Sequence, residues 1–200
     1  MMRLILILIL TLSFQSLTRA DDLSDFQIEG ISIGDSLLDH FNKNTISSSR
    51  KYTYANDKFY TLDVWSDNFD RFDAMQFHLK KNDTKYKIHG FSGALTFGKK
   101  SEYYPKSEDE CKKQKKIVEK DINKLFLNAD KYSESGIGGM PDDPKVIRHD
   151  TYFSLENGFV WLQCYTFSKK PKIDHALIDN LRITILSIEF QKWMQNEAYN

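Results

Sequence analysis

The sequence predicts an α+β fold: one antiparallel sheet of about six to seven strands, with helices packed mainly on one face. Three observations predict it. Asn157-Gly158 separates two β-prone runs. Upstream, four runs alternate in polarity and are broken by Asn-Asp signals. Between these groups, Ser107 opens a long amphipathic stretch with a capping box.

The hairpin is the centre. A type I′ turn needs positive φ at both central residues, which Asn and Gly tolerate best. Residues 151–155 and 159–167 therefore pair. Period-2 geometry sends Phe159, Trp161, Gln163, Tyr165 and Phe167 to one face and Val160, Leu162, Cys164 and Thr166 to the other. A strand that is apolar on both faces belongs inside a sheet. The aliphatic face suits a packed helix. The aromatic face reads either as core beneath a terminal helix or, if bare, as a binding patch. Trp161 and Tyr165 are the candidate ligand or partner residues on it.

At the amino terminus, Arg3 precedes a Leu/Ile run from residue 4 to 12, and Thr18-Arg19-Ala20 offers small side chains. This pattern predicts a signal peptide over 1–20, cleaved after Ala20, with a single domain over 21–200. A span needs about 20 apolar residues, so no transmembrane segment is expected after cleavage. The chain holds 28 basic and 28 acidic residues. That balance argues against a nucleic-acid binder.

An entry segment at 26–34 leads to Asp35, which is expected to cap a short helix from Ser36 to about Asn42. Residues 42–50 read as loop. Runs at 51–54 and 59–65, then 74–80 and 85–91, read as half-buried strands of a meander. Gly90 and Gly93 suggest a bulge in the last of these. Ser107 and Glu110 form the capping box. The helix should reach about Asn128, with an apolar stripe of Cys111, Val118, Ile122, Leu125 and Ala129. Residues 130–144, rich in Gly and Ser, read as a mobile loop in which Asp142 and Asp143 are solvated. Residues 181–186 form the last strand, and Ser187 caps a closing helix to about Ala198.

The chain has two cysteines. Cys111 lies on the helix stripe and Cys164 on the aliphatic strand face, so packing one on the other brings the sulfurs together. An oxidising compartment would close the bond, across a loop of about 50 residues that stabilises by roughly 4 kcal/mol. Two buried thiols are the alternative. A metal site has less support, because two thiolates without a nearby His make a poor zinc site.

Catalytic signals are sparse. No Ser stands in a nucleophile elbow. Gly136-Ile137-Gly138-Gly139 lacks the Lys of a phosphate loop and follows a helix instead of preceding one. His78 and His89 lie in neighbouring strands, but two ligands are too few for a metal. No cofactor or metal is expected.

Several segments carry a resemblance: residues 20–22, 26–41, 73–78, 83–89, Glu110-Cys111, Asn157-Gly158, Cys164-Tyr165 and 179–183. Together they resemble a group of small, uncharacterised exported proteins of marine alphaproteobacteria, over nearly the whole mature chain. The resemblance implies a periplasmic home and both cysteines as part of the pattern. It brings no catalytic residues. Residues 44–49 depart from the group's charged loop, so no shared role is expected there.

The expectation is a non-catalytic exported binding or envelope-associated module, periplasmic or secreted. Its partner would be a small ligand or an envelope protein. A structural or assembly factor is the alternative, and a hydrolase built from separated loops the third reading.

Overall fold

The computed structural model describes residues 22–65, 69–72, 74–96, 106–138, 143, 145–168 and 179–200. The expected leader and its cleavage point lie outside the described residues. Among the described residues, the sheet has eight antiparallel strands: β1 (Arg50–Thr53), β2 (Phe59–Trp65), β3 (Ala74–Lys80), β4 (Ile88–Thr96), β5 (Asp130–Gly138), β6 (Val146–Leu155), β7 (Gly158–Thr166) and β8 (Asn180–Ser187). Their order is β1-β2-β3-β4-β8-β7-β6-β5. Two meanders thus meet where β8 inserts between β4 and β7. The count exceeds the expected six to seven because β5 forms where the sequence reads as loop.

The missed strand has a physical reason. All but the last of its nine residues are exposed, so neither face alternates in polarity. It exists because β6 offers a free ladder, and the pairing runs unbroken from Asp130↔Ser154 to Gly138↔Val146. Hydrogen bonds to a neighbour, not burial, hold this edge. Gly136 and Gly138 lie in that strand, and Gly139 lies outside the described residues. Asp143, expected to be solvated, is fully buried. It accepts from Lys145 N (3.0 Å), Ser168 N (2.6 Å) and Ser168 Oγ (2.5 Å).

The hairpin turn also differs by one residue. Leu155 pairs with Gly158, so Glu156 and Asn157 make the loop. Neither Asn157 nor Gly158 has positive φ, so the turn is not type I′. Gly158 is needed for space instead: a Cβ there would run into the Leu186 carbonyl oxygen and the Leu23 side chain. The bulge near Gly90 is present. His78 faces Gly90 while Leu79 faces Ile88, leaving His89 as the extra residue.

Among the described residues, three α-helices and two short 3₁₀ turns accompany the sheet. The expected 36–42 helix shrinks to a 3₁₀ turn, Leu37–Asp39, capped by Ser36. Asp35 instead accepts from Ser32 N at 2.8 Å. Helix α1 (Lys43–Ser48) forms inside the expected loop, where Asn42 caps it and Ile46 is its buried anchor. Helix α2 (Glu108–Leu125) starts as read, with Ser107 Oγ accepting from Glu110 N at 3.2 Å. The Glu110 carboxylate bonds Lys106 N at 2.7 Å, one residue before the cap. The helix stops short of Asn128 because Phe126 turns into the core and meets Phe26 at 5.9 Å. Helix α3 (Ile188–Asn196) is capped by Ser187.

The main core lies on one face of the sheet, where Leu62, Phe77, Phe91, Ile185, Val160 and Phe153 line up under α2 and the amino-terminal segment. Helix α2 reaches it through Val118 and Ile122, while Cys111 packs in a smaller cluster with Cys164 and Leu181. Lys115 completes the buried stripe at helical spacing and donates through Nζ to Thr151 Oγ1. Cys111 and Cys164 are bonded, with Cα atoms 6.0 Å apart. The helices do not share one face. Helix α3 packs on the opposite side, where Phe190 and Trp193 close over Phe59. Among the described residues, no helix is long and apolar enough to cross a membrane.

Candidate functional site

The face away from α2 is aromatic and polar, and α3 covers one end of it. Cross-strand pairing sorts its side chains into rows. One row runs Asp63, Gln76, Ser92, Thr184, Trp161, Tyr152 and Tyr132. The next runs Trp65, Ala74, Ala94, Arg182, Gln163, Asp150 and Glu134. The α3 end holds Thr61, His78, Gly90 and Leu186. There, His78 Nδ1 lies 2.9 Å from Thr61 Oγ1, and its ring stacks on Phe190 at 4.4 Å.

The middle of this face buries charge. Asp150 is 1% exposed and Gln163 2%. The Tyr152 hydroxyl lies 2.8 Å from Glu134 Oε1 and 3.3 Å from Asp150 Oδ2. Gln163 Nε2 donates to the Tyr165 hydroxyl. Burial pushes the Asp150 carboxyl above its usual range, against the pull of Arg148, whose Nε is 3.9 Å away. Burial, then the bond to Glu134, also raises the Tyr152 phenol. Among the described residues, the buried polar atoms on this face without a protein partner include Asp150 Oδ1, Trp161 Nε1 and Arg182 Nε. Native folds seldom leave such atoms without a use.

A buried carboxylate with a raised pKa is a local cost. The folded protein holds the Asp150 proton more tightly than the unfolded chain does. Its contribution therefore grows less favourable as pH rises through the raised pKa, and neutral pH is the costly side. Asp150→Asn is expected to raise stability at pH 7 by up to about 1 kcal/mol. Urea denaturation at pH 7 checks this, and a loss of stability would contradict it.

Trp161 is half-buried, and Tyr165 is 6% exposed. Trp161 belongs to a ladder. Its ring lies near-parallel to Tyr152 at 5.2 Å, and Tyr152 to Tyr132 at 5.9 Å. Tyr165 stacks instead on Phe167 at 5.8 Å. The rings shield one another's faces, while Tyr132, at the sheet edge, is 61% exposed. The sequence reading missed Asp150, Arg182, Ala74 and Ala94. Gln163 inside an apolar strand was the available signal, because a buried amide implies polar neighbours.

A cavity of about 260 Å³ opens on the same face, beside the ladder. Trp65 and Tyr52 stand on one side and Arg182 on the other, with Ala74 and Ala94 between them. The two alanines create it, since their row is otherwise filled by long side chains. Asp63 and Gln76 lie in its wall, joined by a 2.8 Å bond from Gln76 Nε2 to Asp63 Oδ1. Ser92 Oγ and Thr184 Oγ1 sit 2.9 Å apart in the same row. A second cavity, about 360 Å³, lies on the core side between Phe26, Phe72, Val118 and Ile183.

The histidines divide among structural tasks. His89 Nδ1 lies 3.3 Å from Glu189 Oε2, and burial lowers its pKa. His149 Nδ1 is 2.9 Å from Ser135 Oγ, and its Nε2 is 2.8 Å from Glu108 Oε1. This Ser-His-Glu chain has the connectivity of an acyl-transfer relay. Its origin is simple, however. Ser135 faces His149 directly across the ladder on the exposed outer strand, and Glu108 opens α2. The bonds tie the helix start to the edge hairpin. They also hold Glu108 below the usual carboxylate range, with His149 the larger cause and Lys112 the next. Among the described residues, no three His, Cys, Asp or Glu side chains gather to hold a metal.

Comparison with protein-family models, curated proteins and solved structures finds no match to this chain.

Proposed function

We propose that this chain is an exported, non-catalytic binding module whose ligand lies across the polar face of the sheet. One observation carries the reading: buried donors and acceptors of Asp150, Trp161 and Arg182 stand without protein partners on one face, next to a cavity. Unpaired buried polar groups are costly, and a bound ligand offsets that cost by supplying the missing bonds. The aromatic ladder adds apolar contact beside them. The signal-like amino terminus, read from sequence, puts the module in the periplasm or outside the cell.

Thermal denaturation against a panel of sugars, short peptides and small organic acids tests the reading. A ligand at 100 times its Kd stabilises by about 2.7 kcal/mol. At least one panel member is expected to raise the Tm of the native protein and not that of the Asp150→Asn, Trp161→Phe double variant. No shift with any compound, or equal shifts in both proteins, would overturn it.

A second reading, an assembly factor, has its own support at the sheet edge. Strand β5 pairs on one side with β6 and ends the sheet, with Tyr132 61% and Ile137 74% exposed. Such edges serve as templates for strand addition. Sedimentation of the native protein against Ser133→Pro and Ser135→Pro variants separates the readings. Association that either variant abolishes favours assembly.

A further inference from the structure

We propose that the cavity between Trp65 and Arg182 is a site for a small carboxylate ligand, with its anionic group on the Arg182 guanidinium and its body over Ala74 and Ala94. This deepens the binding reading above and rests on it.

The cations of this face have different surroundings. Arg148 lies 3.9 Å from Asp150. The Arg50 guanidinium sits 4.8 Å from the Tyr52 ring centre. Lys80 pairs with Glu189 at 2.6 Å. Arg182 has no carboxylate within ion-pair reach and no ring beneath it among the described residues, and its Nε is buried without an acceptor. A guanidinium presents planar, forked donors that match a carboxylate with two parallel bonds. Its neighbours across the ladder, Ala94 and Gln163, supply no counter-charge.

The floor defines the size. Trp65, Ala74, Ala94 and Arg182 fall on four adjacent strands, so β2 and β8 are about 14 Å apart at the usual strand spacing. The two alanines leave the intervening space to a ligand. The Trp65 ring, 50% exposed, and the Tyr52 ring offer apolar contact at the far end. Asp63, Gln76 and Ser92 line the side wall and suit a ligand that also carries hydrogen-bond donors.

Charge discriminates among anions. Asp63 shares the cavity wall, and Asp150 lies two strands from Arg182 in the same row. These carboxylates, beyond ion-pair reach of Arg182 but on the same face, disfavour a dianion such as phosphate more than a monoanion. A single carboxylate on an uncharged, donor-bearing body fits. Both the carboxyl end of a peptide-like molecule and an acidic sugar have this chemistry.

Calorimetric titration of the native protein with two matched pairs tests the assignment: N-acetyl-L-tyrosine against N-acetyl-L-tyrosinamide, and D-glucuronate against D-glucose. At least one carboxylate is expected to bind about tenfold or more tightly than its neutral partner. Arg182→Gln should erase that preference, and Ala94→Leu should fill the floor and block the carboxylate. The pair that shows the preference tells peptide-like from sugar-acid sources. Unchanged unfolding midpoints establish that the variants fold, and Arg182→Lys, which keeps the charge without the fork, should show an intermediate loss. Equal affinity for acid and neutral partner, unaltered binding by Arg182→Gln, tighter binding of inorganic phosphate, or no binding by any probe would each overturn the inference. The wider binding reading falls only with the thermal panel described above.

Discussion

Replacing Cys111 and Cys164 together with alanine is expected to lower the unfolding free energy by about 4 kcal/mol, measured by urea denaturation at pH 7. The bond joins positions 53 residues apart, so its loss frees a long loop in the unfolded chain. It also removes the covalent tie between the first turn of α2 and β7, at a fully buried spot beside Leu181. The helix is then held by the packing of Val118, Ile122 and Leu125, the Lys115–Thr151 bond, the Lys131–Glu119 ion pair and the His149 bridge to Glu108, among other contacts. Dithiothreitol should shift the native protein toward the variant's midpoint and leave the variant unchanged. A difference below about 1 kcal/mol would show that the unfolded loop is already constrained.

Acid is expected to weaken the protein through His78. This ring is buried between Thr61 and Phe190, and its pKa is pushed down to about 3, first by burial and then by the Arg182 charge. The unfolded chain takes up a proton near pH 6.5, which the folded chain refuses until about pH 3. The unfolded state thus binds more protons across that window, and stability is lost as pH falls through it. Between pH 6.5 and 5 the loss from this group is about 2 kcal/mol. His89, also lowered by burial, acts in the same direction. His78→Asn keeps a polar partner for Thr61 and should flatten the pH profile by that amount. An unchanged slope in the variant would place the acid sensitivity elsewhere.

The acid effect arises beside the candidate site. The α3 end of the polar face is closed by Phe190 over His78, and Arg182 belongs to the electrostatic surroundings of that histidine. A carboxylate on Arg182 would relieve some of the pressure on the ring.

Much of the fold was legible because it rests on local rules. Alternation in residues 59–65 and 74–80 reports a strand whatever its neighbours are, but the expected half-burial was wrong where α3 covers the second face and buries Phe59, Thr61 and His78. Ser107 and Ser187 cap their helices through bonds made within one turn. Spacing placed Cys111 and Cys164 on two apolar surfaces whose packing would let the sulfurs meet, and the structure bonds them. Trp161 was legible as part of an aromatic row. Asp150, Arg182 and the paired alanines were not, because their meaning arises only when the strands lie side by side. The β5 edge was illegible for a related reason: its residues bury nothing, and the strand is stabilised by β6 alone.

By itself, then, the amino-acid order determined periodicity, caps and the apolar surfaces that carry the two sulfurs, since these depend on side chains within a few residues. The tertiary structure decided the eighth strand, the position of α3 on the second face, the true role of Gly158, and the gathering of unpaired polar atoms beside a small cavity. Those features depend on register between distant strands, and register is a property of the whole sheet.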